Sequence, residues 1–146
     1  MHDRPLIGVA VIVIKNGKIL LGKRKNSHGD GTWAFPGGHL EFSESIKDCA
    51  RREIFEETGI QIKNLRYGPY TNDIFEKEGK HYVTLVVLAD HASGVPTVKE
   101  PDKCEEWQWH DWPPEIEPHF LQKCEGVGIS KFFSQLLHLH QTPAFL

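Results

Sequence analysis

Three glutamates and an arginine crowd into one short stretch, Arg52-Glu53-Ile54-Phe55-Glu56-Glu57-Thr58-Gly59. On a helix, neighbours along one face recur at i, i+3, i+4 and i+7. From Ile46 that series runs through Cys49, Ala50 and Glu53 to Glu56 and Glu57, while Lys47, Asp48, Arg51 and Phe55 turn elsewhere. A solvated acidic face would set its glutamates opposite the apolar residues, whereas here Glu53 continues the core-facing stripe. Several carboxylates gathered at the edge of a core repel one another unless a positive charge neutralises them. A hard divalent cation such as Mg²⁺ does this with oxygen ligands, and it recruits phosphate oxygens to complete its shell. A structural helix laced by salt bridges to Arg52 is the competing arrangement, and spacing alone leaves both open. Upstream, Pro36-Gly37-Gly38 lets backbone approach a metal or phosphate where a Cβ would hinder it, and Glu41 and Glu44 lie just before the helix.

The elements that must position these residues follow from local pattern. Leu6–Ile14 is an apolar strand, Asn16-Gly17 a hairpin turn, and Ile19–Lys25 the returning strand. NSHGDGTW is a loop, and Thr32–Phe35 a short strand stopped by Pro36-Gly37-Gly38. The spacing predicts a helix over Ser45–Thr58, with Ser45 and Asp48 as a capping box and Gly59 ending it. Ile54 and Phe55 are assigned to packing. Strands are expected over Leu65–Phe75 and Tyr82–Ala89 with a polar turn at Glu76–Lys80, then a loop over Ser93–Asp102. A short strand over Glu106–His110 is broken by Trp112-Pro113-Pro114, and Gly128–Leu139 has the apolar spacing of an amphipathic helix. Mixed strands and helices without repeats or a long linker imply one layered α/β domain over residues 1–146.

Bulk properties narrow the partners. With 146 residues, 39% of them hydrophobic, and a formal net charge of −3, the chain suits one globular core rather than a nucleic-acid polymer binder. No apolar run reaches the ~20 residues of a membrane span. The Val- and Ile-rich N-terminus reads as a buried strand and not a leader, so a cytoplasmic location is expected. Three widely spaced cysteines, Cys49, Cys104 and Cys124, form no metal or disulfide pattern.

Gly38, five residues, Glu44, seven residues, and then Arg52-Glu53-Ile54-Phe55-Glu56-Glu57-Thr58-Gly59-Ile60 resembles a complete Nudix box, G-x5-E-x7-R-E-U-x-E-E-x-G-U with U apolar. The resemblance implies an α/β/α sandwich around a mixed β-sheet. It also implies hydrolysis of a nucleoside diphosphate linked to another group, with Mg²⁺ or Mn²⁺ and attack by water. Carried over by position, Glu53, Glu56 and Glu57 resemble the metal-binding carboxylates, beside Gly38. Arg52 resembles the arginine that orients the box, and Glu44 its supporting carboxylate. The general base is left among Glu53, Glu100, Glu105 and Glu106, with Glu105 the late glutamate assigned to catalysis. The segments LLGKRK, FPGGHLEF, EKEGKHYVTL and EEWQW resemble the MutT-like branch, which implies cleavage of a nucleoside triphosphate to monophosphate and pyrophosphate. Arg24 resembles a phosphate contact there. Phe35, Gly37, Gly38 and Thr84 complete the expected substrate-binding set. ADP-ribose or a nucleotide sugar is the alternative substrate, a non-catalytic nucleotide sensor a third reading, and a homodimer is compatible with all of them.

Overall fold

The computed structural model describes residues 3–25, 31 and 33–111. In chain order its elements are β1 (Leu6–Lys15), β2 (Lys18–Arg24), β3 (Trp33–Ala34), β4 (Gly37–His39), α1 (Ile46–Thr58), β5 (Gln61–Phe75), β6 (Lys80–Ser93) and β7 (Cys104–Asp111). Asn16 and Gly17 both take positive φ, 52° and 75°, the backbone that a two-residue hairpin between right-twisted strands requires. The strands form one mixed sheet in the order β3-β2-β1-β6-β5, with β4 on β1 and β7 on β2. β1 and β6 run parallel from Leu6↔Tyr82 to Ile14↔Asp90, and the other pairings are antiparallel.

Alternation along the central strands makes two apolar faces. Val9, Val11 and Val13 of β1, Leu20 of β2, and Val87 and Ala89 of β6 meet Cys49, Ala50 and Ile54 of α1. Ile12, Ile19, Leu21, Val86 and Leu88 face the other way with Trp33. Both sets are 9% exposed or less, so β1 and β6 are buried on both sides, which explains their unbroken Val/Ile/Leu runs. Trp107 and Trp109 pack partly buried on the α1 side. The helix expected over 128–139, the break at Trp112–Pro114, and Cys124 lie outside the described residues. Among the described residues, no helix is long and apolar enough to cross a membrane.

Several boundaries differ from the sequence pattern. Pro36-Gly37-Gly38 does not simply stop a strand: Gly37–His39 is itself β4, paired with Gly8–Ala10. Its composition hides it, because glycine carries no β signal, yet a Cβ on Gly37 would collide with the Val9 carbonyl oxygen. β5 begins at Gln61 rather than Leu65, since its polar first residues pair with the exposed end of β6. Phe55 is 58% exposed and is not a packing residue, in contrast to Ile54, which is fully buried.

Candidate active site

Helix α1 is held at both ends by local chemistry. The Ser45 hydroxyl accepts from the Asp48 amide at 3.1 Å, and Gly59, at φ 76°, donates its amide to the Phe55 carbonyl. The Thr58 hydroxyl donates to the Ile54 carbonyl at 2.6 Å. The last turn is strapped by the loop after β6: the Thr97 amide donates to the Thr58 carbonyl at 3.0 Å and the Lys99 amide to the Glu57 carbonyl at 3.4 Å.

Arg52 organises the acidic cluster. Its Nε and Nη2 fork onto Glu44 at 2.7 and 2.9 Å. Nη1 reaches Glu53 at 2.8 Å and Glu56 at 3.3 Å, and Nη2 also donates to the His39 carbonyl at 3.1 Å. A planar guanidinium with five donors can bind strand, loop and helix at once, which a lysine cannot. The Arg52 hydrogen bonds hold the Glu44 carboxyl down to about 2. Cys49, beneath this fork, is pushed up to about 12 by burial and then by Glu44, and is thus an inert thiol.

Glu53 leans on β4. A Cβ on Gly38 would fall inside the Glu53 carboxylate, so this carboxylate fills the space a side chain would take. Glu57 lies one turn on. Burial first, then the charges of Glu53 and Glu100, push its carboxyl up to about 8, and a backbone hydrogen bond involving Gly37 works against the shift. Two neighbouring carboxylates, one of them buried, beside a backbone cradle are a donor set a divalent cation would suit. Glu56 differs: it is about half exposed and turned to Arg52. Among the described residues, no three His, Cys, Asp or Glu side chains are drawn together as a ready metal cage. Arg52 holds two of the expected ligands to one side.

The other expected residues separate into groups. Gly37 and Gly38 stand with Glu53 and Glu57. Arg24 ends β2 opposite Cys104. Phe35 packs against the face of the sheet away from α1, and Thr84, paired with Gly8, belongs to that face as well. Glu105 is 55% exposed and pairs with Lys23 at 3.6 Å. Of the late glutamates, Glu100 is the one whose charge acts on Glu57, because the strap at Thr97 and Lys99 carries it there. Sequence reasoning did not find the strap, since its backbone bonds leave no mark on composition.

A mixed sheet whose Gly-Gly strand feeds a carboxylate-bearing helix defines a domain of the Nudix type. Residues 4–120 match the NUDIX domain family, and the chain belongs to it: this is a Nudix hydrolase. It is 30% identical over 133 residues to the oxidized purine nucleoside triphosphate hydrolase of Mus musculus, covering 86% of this chain and 85% of that protein. It is 36% identical over 113 residues to the ADP-ribose pyrophosphatase of Methanocaldococcus jannaschii, covering 76% of this chain but 64% of that one. Against the NAD-capped RNA hydrolase NudC of Edwardsiella ictaluri it is 33% identical over 78% of its length and spans 44% of the relative. Among solved structures, a MutT NUDIX hydrolase from Burkholderia pseudomallei superposes with a TM-score of 0.72 at 34% identity, covering 79% of this chain and 92% of that one.

Proposed function

We propose that this chain hydrolyses (deoxy)nucleoside triphosphates, modified ones included, to monophosphate and pyrophosphate, using Mg²⁺ or Mn²⁺. The observation that carries the substrate class is the near-full-length match to a relative named for oxidized purine nucleoside triphosphates. Glu53 and Glu57, with Gly38 backbone and Glu56 after it leaves Arg52, would hold the metal. Bound there, the metal would neutralise phosphate charge, polarise a phosphoryl oxygen and acidify water. The chain's own residues supply the rest. Arg52 fixes the angle of α1 to β4 by gripping Glu44, Glu53 and the His39 carbonyl. Glu57, raised by burial and then by the charges of Glu53 and Glu100, can hold a proton near neutrality, as a general base must. Arg24, at the end of β2, is assigned to the phosphates.

The second reading, a pyrophosphatase for ADP-ribose or a nucleotide sugar, is favoured by the archaeal relative, of which this chain spans 64%. Incubation with Mg²⁺ and a panel of canonical and modified triphosphates, ADP-ribose, nucleotide sugars and NAD-capped RNA separates them. Monophosphate plus pyrophosphate from triphosphates is the expected result. Cleavage of diphosphate conjugates or capped RNA only, or release of inorganic phosphate only, rejects it.

A further inference from the structure

Arg52 takes hold of β4 at the His39 carbonyl, which accepts from Nη2 at 3.1 Å and from the Cys49 thiol at 3.5 Å. One residue earlier, Gly38 is the backbone on which the Glu53 carboxylate lies. The position of β4 thus decides where both the arginine and Glu53 come to rest. Yet β4 has little to hold it. Two of its three residues are glycines, which cost a strand more backbone freedom and pack no side chain. Among the described strands it pairs with β1 alone, through Gly8, Val9 and Ala10.

The His39 side chain supplies a second tie. Alternation along the strand turns it away from the α1 side, where Gly38 faces Glu53, and onto the opposite face of the sheet. There its ring crosses β1 to Tyr82 of β6: Nε2 and the phenolic oxygen are hydrogen-bonded at 3.2 Å, and the rings stack at 5.6 Å and 25°. The crossing passes over Gly8, which pairs with His39 on one edge and Thr84 on the other. A Cβ on Gly8 would already stand 4.0 Å from Tyr82 Cδ1, so a larger side chain would lie in the path of the two rings. Tyr82 is itself well anchored. It sits on β6 between Leu6 of β1 and Asp73 of β5, with Phe75 edge-on at 6.4 Å and 72°. We infer that His39 and Tyr82 are positioning residues, a side-chain bridge that ties β4 to the central strand β6 and so fixes the backbone that Arg52 grips and Glu53 rests on. The bonded pair is exposed, so it contributes modestly to global stability. What it sets is the place of β4.

This inference rests on the reading of Glu53 and Glu57 as the metal site and deepens it. Tyr82→Phe keeps the ring, removes the hydroxyl and takes away no candidate metal ligand. Loss of an outer partner typically weakens a metal site at least tenfold, and one layer further out the expected loss of Mn²⁺ affinity is about three- to tenfold. Titration calorimetry of nucleotide-free protein with MnCl₂ reads it. In chelator, Tm should stay within a few degrees of wild type. The Leu40 amide, bonded to the Ile7 carbonyl at 3.0 Å next to the bridge, should nevertheless exchange faster with deuterium. His39→Ala should weaken Mn²⁺ at least as much, and adding Tyr82→Phe to it should cost nothing further, because the two side chains act as one tie. If His39→Ala does not fold, the affinity and amide exchange of Tyr82→Phe decide. Suppose Glu57→Gln abolishes Mn²⁺ binding while Tyr82→Phe binds as wild type does, or the losses of the two bridge variants simply add: the bridge alone is then overturned. If Glu57→Gln binds Mn²⁺ as tightly as wild-type protein, the reading of the carboxylate site falls and the inference with it.

Discussion

At the scale of single residues, Glu57 concentrates the chemistry. Glu57→Gln removes its charge at nearly constant shape and should lower kcat by roughly 100-fold or more, the range of a lost general base or ligand. Circular dichroism should stay unchanged, and near-normal turnover would remove Glu57 from the site. The same side chain makes stability depend on pH. Its folded value, about 8, lies above the ordinary 4.5, so the folded state binds the proton more tightly. Metal-free protein should therefore lose stability as pH rises from about 4.5 to about 8. Glu44 acts with opposite sign: held down to about 2, it contributes stability above 4.5 that is lost on acidification towards 2. Thermal melts in chelator should peak near pH 5 and fall towards pH 8, and saturating Mg²⁺ should flatten the alkaline limb. A metal-free profile that rises from pH 5 to 8 would contradict this placement of Glu57.

At the scale of elements, the site depends on β4 and α1 meeting without side chains between them. The two glycines there do different jobs, which substitution should separate. Gly37→Ala drives a Cβ into the Val9 carbonyl, a rigid backbone group, and should depress Tm strongly along with activity. Gly38→Ala meets first the Glu53 carboxylate, the end of a side chain that can swing aside. It should keep Tm within a few degrees of wild type and still lose most activity; equal losses of Tm in both would refute the distinction. The box itself was readable from sequence because its residues lie within one loop and one helix, where spacing fixes relative placement. The strap was not, since it reaches the end of α1 through backbone bonds from a loop about 40 residues later, and such bonds are blind to residue type; Glu100 stood among the candidate bases, and it is the strap that brings it to Glu57. Phe55 lies some 100° from Ile54 on the helix, off the stripe as its spacing said, so its assignment to packing fails while that of Ile54 holds. Glycine-rich β4 gave no periodic signal at all.

At the scale of the whole molecule, the two faces of the sheet divide the work. One carries α1 and the carboxylates, the other Thr84 and Phe35. The α/β class was legible from hydrophobic pattern, but which face each substrate-binding residue occupies depends on register between distant strands, which no local spacing encodes. Ile54 ties helix to sheet, being wholly buried among Val9, Val11 and Ala50 in one cluster. Ile54→Ala should destabilise by about 2–5 kcal/mol, measured by urea unfolding, with loss of activity following loss of the fold. A change under about 0.5 kcal/mol, the scale of surface substitutions, would show that α1 is held by its caps and Arg52 instead.

The parallel pairing of Leu6 with Tyr82 has a consequence in time. The first strand's central partner is β6, whose pairing begins 76 residues further along the chain, so that contact cannot form until most of the domain has been synthesised. Until then β1 can close only the Asn16-Gly17 hairpin and its short pairing with β4, with Val9, Val11, Ile12 and Val13 lacking the neighbour on their other edge. Closing a loop of that length makes the central pairing a late event in folding. The apolar floor beneath the carboxylate helix is therefore completed last, when Val87 and Ala89 of β6 arrive beside Val9, Val11 and Val13.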